Sequence, residues 1–138
     1  MNEQVVNDVQ SSWRAVAGIA PQAAALFYAN LFESDPELKP LFKGNMDDQG
    51  KKLMQMIGAA VGKLNDLESL VPILQSLGKR HVSYGVKEQH YEIVGAALLK
   101  TLGQGLGASF TPQVKDSWSE VYGIMSSVMI AASKEQPQ

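Results

Sequence analysis

The chain has 138 residues, of which 45% are apolar and 19% charged, the mix of a folded globular protein and not of a disordered one. A formal net charge of −2 argues against a nucleic-acid binder, which needs a clustered cationic surface, and no run of about eighteen apolar residues marks a membrane span. The absence of cysteine excludes disulfides, thiol catalysis and thiolate metal sites.

The first residues, "MNEQVVNDVQ", lack the cationic start and apolar core of a secretory signal, so the expected location is the cytoplasm. Val6, Val9, Trp13 and Val16 recur at steps of three and four, which puts them on one face of a first helix. Pro21 suits the first turn of a second helix, where the N–H it lacks has no helical partner, and "QAAALFYANLF" continues it. "SDP" at 34–36 stops that helix and starts a short one, with Ser34 or Asp35 as cap and Pro36 in the first turn. "GNMDD" is expected to be a loop before a third long helix, in which Gln49, Leu53, Ile57 and Val61 are spaced by four. A fourth helix runs from Leu67 to about Ser83, with Ile73, Leu77 and His81 in one inward row and Gly85 placed to end it. "EQHYEIVGAALLKTL" gives a fifth through Tyr91, Val94, Leu98 and Leu102, broken by "GQGLG". Thr111 and Pro112 open a last helix that carries Val114, Trp118, Val121, Met125 and Val128 inward. No polar–apolar alternation indicates a strand, so the fold class is all-α in one domain over residues 1–138, with the tail "KEQPQ" expected to fray.

His81 ends an apolar helical row, so its ring is expected to point inward. It is either a core histidine satisfied by a backbone carbonyl or a ligand of a metal or cofactor. No second His lies at i+3 or i+4, and no inward Asp or Glu shares the helix. A non-haem zinc or iron site needs about three or four such ligands. Haem needs only one axial imidazole, because the porphyrin supplies the remaining nitrogens, together with an apolar cleft. His90 lies among Gln89 and Glu88 in the first turn of the next helix and reads as a surface histidine.

Several stretches carry a family pattern in order: "LFYANLF" at 26–32, "DPELKPLF" at 35–42, "DQGKKLMQMIGAA" at 47–59, "HVSYGVKEQHYEIVGAALL" at 81–99 and "WSEVYG" at 118–123. Through them the chain resembles bacterial single-domain globins, and specifically the globin domain of flavohaemoglobins, over nearly its whole length. The resemblance implies the globin fold, with haem b held between the Gln49 helix and the His81 helix. It makes His81 the proximal ligand of the haem iron, Phe42 the aromatic wedged against the porphyrin, and Tyr28 and Gln49 the distal polar pair. Leu53 becomes the apolar residue above the iron, with Ile57, Val86, Tyr91 and Val94 as further pocket residues. Lys52 and Arg80 are either solvated charges or partners of the haem propionates. Taken alone, Phe42 reads as a core aromatic, Tyr28 as a helix tyrosine and Gln49 as a surface glutamine. Phe27 and Tyr28 face different directions, so only one of them enters the pocket.

The phenol O–H and the amide N–H2 are both donors, and dioxygen on ferrous haem gains negative charge that such donors stabilise. The expected function is reversible binding of dioxygen, carbon monoxide and nitric oxide, with turnover of nitric oxide to nitrate as its enzymatic variant. A non-catalytic store, carrier or sensor uses the same distal pair, and a helical interaction module with His81 in its core is the non-haem alternative. Two departures from the flavohaemoglobin pattern matter. That pattern sets a tyrosine and a glutamate behind the proximal imidazole; Tyr91 matches the tyrosine, but the glutamate position is Ser133, with Glu135 two residues beyond. Unless Glu135 swings into that place, a weaker electron push onto iron is expected. No flavin or nicotinamide domain follows, so catalysis is expected to need an external reductase.

Overall fold

The computed structural model describes residues 2–42, 44–83 and 85–134, and among these every regular element is helical. Six α-helices follow in order: α1 (Glu3–Ala17), α2 (Ala20–Ser34), α3 (Met46–Gly62), α4 (Leu67–Ser83), α5 (Glu88–Leu106) and α6 (Pro112–Lys134). A 3-10 turn over Pro36–Leu41 joins α2 to α3.

The Asn2 side chain caps α1 by accepting the Val5 N–H at 2.9 Å, and Val6, Val9, Trp13 and Val16 are all buried as their spacing predicts. Pro21 lies in the first turn of α2, and Asp35 caps the 3-10 turn by accepting the Glu37 N–H. Three expectations need correction. "GNMDD" is not all loop: Asn45 accepts the N–H groups of Asp47 and Asp48, so the helix begins at Met46, with two carboxylates favourably placed in its first turn. "GQGLG" does not break α5, whose last turns contain Gly103 and Gly105. A Cβ at Gly103 would be in ordinary contact with Phe110 and one at Gly105 with Ile19 and Val16, and the helix ends at Gly107 with φ +58. Ile73 is 42% exposed; the inward row of α4 is Leu70, Leu74 and Leu77, leading to His81. Steps of four, three and four follow the 3.6-residue turn more closely than steps of four alone, which drift off the face. The tail residues 135–138 lie outside the described residues.

The last helix is the spine. Trp118 and Val121 are fully buried, Trp118 Nε1 donates to Ser12 Oγ at 2.7 Å, and Ser117 Oγ donates to the Asp8 carboxylate at 2.8 Å. These bonds fix α1 along α6, while α2 packs on α5. Among the described residues α3 packs on α1 and α2, and α4 packs on α6, but α3 and α4 have at most marginal contact with each other. No single helix among those described is long and apolar enough to cross a membrane.

Candidate functional site

An aromatic cluster surrounds Tyr28. Tyr28 of α2 meets Phe42 edge-on at 5.4 Å between ring centroids and lies parallel to Phe32 at 5.9 Å, with Phe27 edge-on at 5.5 Å. The cluster can sit against α3 because residue 50 is glycine: a Cβ there would lie 3.0 Å from the Ala24 Cβ and 3.8 Å from the Tyr28 ring. Gln49, the neighbour of Gly50, is half-buried on the same helix. Phe27 and Tyr28 do diverge. Phe27 faces a small apolar cavity of about 10 Å3 behind α3, shared with Leu53, Ile57, Leu98 and Leu102. Tyr28 is only 8% exposed, and its hydroxyl has no hydrogen-bond partner among the described residues. Burial pushes its pKa up, so the group stays protonated and remains a donor.

His81 lies in the last turn of α4. The ring is half-buried, and its Nδ1 lies 3.3 Å from the Tyr91 hydroxyl of α5. Burial, and then the positive charge of Arg80, push the imidazole pKa down. The neutral ring that results is the form that binds a metal. Burial raises the Tyr91 phenol in turn, so imidazole and phenol meet as neutral groups, with Nδ1 suited to the hydroxyl and Nε2 to a metal. Tyr91 is held through its main chain: the Tyr122 hydroxyl donates to its carbonyl at 2.6 Å. Gly95 makes this possible, since a Cβ at that residue would come within 2.6 Å of the Tyr122 ring. Ser133 turns its hydroxyl onto the Ile130 carbonyl of its own helix at 2.6 Å, and Glu135 lies outside the described residues.

The remaining expected residues divide. Phe42, Leu53, Ile57, Val86 and Val94 are all partly buried apolar side chains packed at the edge of the core. Lys52 and Arg80 are exposed and form no ion pair among the described residues. His90 is not a bare surface histidine; it is half-buried, and its Nδ1 accepts the Lys87 N–H at 2.9 Å, which caps α5. Tyr122 and Gly95 escaped the sequence reading. Both lie in the family stretches "WSEVYG" and "HVSYGVKEQHYEIVGAALL", but no helical period assigns either a role.

Among the described residues no three His, Asp or Glu side chains are grouped to hold a bare metal ion. One neutral imidazole, a set of half-exposed apolar side chains from four parts of the chain, and a buried partnerless hydroxyl fit a haem instead.

The globin family model matches residues 25–129. A flavohemoprotein of Rhodopirellula baltica is 29% identical over 133 residues, covering 94% of this chain but 33% of its own length, so the chain spans about a third of that relative. A solved bacterial globin from Campylobacter jejuni superposes with a TM-score of 0.84 at 27% identity, over 97% of each chain. The helical order and the match along residues 25–129 lead to one conclusion: the chain belongs to the globin family.

Proposed function

We propose that this globin binds haem b and uses it to bind dioxygen and other diatomic ligands reversibly. Globin membership supports haem-based binding of diatomic gases in general; the residue roles are our reading of the site. The observation that carries this reading is the buried Tyr28 hydroxyl, a donor with no partner among the described residues. His81 would hold the haem iron in this reading, with Nδ1 engaged by Tyr91 and Nε2 left as the nitrogen that could bind it. Phe42, Leu53, Ile57, Val86 and Val94 provide the apolar surface against which a porphyrin packs. Lys52 and Arg80 are the cations within reach of its propionates. Haem supplies an iron centre able to take up a diatomic gas; the chain supplies the rest. Tyr28 would supply a hydrogen-bond donor to a bound diatomic ligand, and Gln49 a second one. The surrounding apolar side chains keep water away and make each bond stronger than it is in solvent.

The enzymatic variant, conversion of nitric oxide to nitrate by the oxygenated protein, is suggested by the flavohemoprotein relative and would need an electron donor to return the iron to the ferrous state. The phenol behind His81, with Ser133 turned away, gives a weaker push than a carboxylate and places ligand binding ahead of turnover. Reconstitution with haem followed by oxygen titration tests the main reading. A protein that takes up haem but cannot be cycled between oxygenated and ligand-free forms contradicts it. Nitric-oxide consumption by the oxygenated form, measured with an added reductase, separates the enzyme from the carrier.

A further inference from the structure

We infer that Gly78 is a positioning residue for His81: it lets α4 rest directly on the backbone of α6, and this crossing decides where the imidazole stands. The inference takes its functional meaning from the haem reading above, but its geometry is independent of it. A Cβ at residue 78 would lie 2.3 Å from the Met129 carbonyl oxygen, 2.8 Å from its Cα and 2.9 Å from its carbonyl carbon. The obstacle is main chain, so no rotamer change relieves it. An alanine would push the helices apart by roughly 1 Å before an ordinary contact was reached.

The helix that yields is α4. On its far side α6 is anchored by the fully buried Trp118 and Val121, by Ser117 and Gln113 donating to Asp8, and by Trp118 donating to Ser12. Among the described residues α6 is the helix on which α4 chiefly packs, and His81 reaches Tyr91 of α5. Ile73 on the flank of α4 is exposed. His81 follows Gly78 by three residues, about 4.5 Å along the axis, and a rigid helix carries a displacement that far undiminished. Because Ser133 turns to its own helix, no carboxylate from that position re-seats the ring.

The test compares Gly78→Ala with two controls in the haem-loaded chain. Gly123→Ala adds the same methyl to α6 where nothing lies within 4 Å, and Leu70→Val weakens the α4 packing without touching the backbone contact. The readouts are the iron–histidine stretching band of the ferrous protein and the rate at which haem passes to an acceptor protein. Gly78→Ala should move the band and speed haem loss by about tenfold, while both controls leave the band in place. In His81→Gly supplied with free imidazole the axial ligand is no longer tethered to α4, so adding Gly78→Ala should then change nothing. An unmoved band in Gly78→Ala, or an equal shift in the untethered background, overturns the inference. Failure of the native chain to bind haem would sink the haem reading instead. In that event, or if Gly78→Ala does not fold, hydrogen exchange on the native chain decides. Amides around Gly78 and around Met129 should open together, and independent opening would overturn the inference.

Discussion

Tyr28 is enclosed by Phe27, Phe32 and Phe42 and by the crossing of α2 over α3 at Gly50, whereas His81 has a hydrogen bond to Tyr91 and a helix seated on α6 at Gly78. The first ring is fixed by packing from several directions. The second is fixed by where one helix happens to lie. In the proposed haem reading, such a site would keep its distal donor in place with or without a ligand and leave its proximal side free to respond. Interactions that depend on one crossing are also the ones a bound prosthetic group stabilises most, since they have few other supports.

The largest break in this comparison comes from removing haem. A ligand that binds only the folded form stabilises it by about 4 kcal/mol at a thousandfold excess over its dissociation constant. The apo-protein should therefore melt clearly lower, and hydrogen exchange should rise more in α4 than in α2 or α3. Equal melting of the two forms, or loosening spread evenly over the helices, would contradict the asymmetry.

Next comes the distal donor. A hydrogen bond to a charged partner contributes roughly 1.5–3 kcal/mol, so Tyr28→Phe should speed oxygen release about ten- to a hundredfold while leaving the aromatic cluster packed. Carbon monoxide, which gains less charge, should respond much less. Gln49→Leu should act in the same direction more weakly, and the two effects should not add because both donors address one ligand. Stopped-flow release from the two single variants and the double variant checks this, and an unchanged rate in both singles removes the distal assignment.

Two smaller effects sharpen the proximal half. His90→Ala takes away the acceptor of the Lys87 N–H at the head of α5, at a cost of about 1 kcal/mol in denaturant unfolding, with haem retained. Asp8, on the bracing between α1 and α6, has its carboxyl held below the ordinary range by hydrogen bonds from Gln113 and then Ser117. A depressed folded pKa contributes stability above the unfolded carboxylate value and loses it as pH falls through the folded one. Acid unfolding of the native chain should therefore begin below the usual carboxylate range, and Asp8→Asn should flatten that limb slightly, since the group is solvent-accessible. A steeper limb in the variant would reverse the sign.

Helices with a full apolar stripe were legible because burial and period coincide, as at Val6, Val9, Trp13 and Val16. The start of α3 was hidden, since "GNMDD" has loop composition until Asn45 turns its side chain onto two backbone N–H groups. The run of glycines in α5 looked like a break because propensity is local, while the fit of Phe110 against Gly103 is tertiary. At the site, Tyr28, Phe42, His81 and Tyr91 could be nominated from the sequence, and the contacts between Tyr28 and Phe42 and between His81 and Tyr91 follow from the fold. Gly78, Gly95 and Tyr122 could not, because a close helix crossing leaves no period in either helix alone. His90 was misread for a related reason: its role is to a backbone group three residues away, which a count of charged neighbours misses.

The central claim, one haem held by His81, is tested most directly by titrating haem into the apo-protein and following the Soret absorbance. The native chain should saturate at about one haem per chain, the number one axial histidine allows. His81→Ala should fail to hold haem until imidazole is supplied, while His90→Ala should match the native curve. Equal uptake by the native chain and His81→Ala, or loss of uptake in His90→Ala instead, would contradict the account.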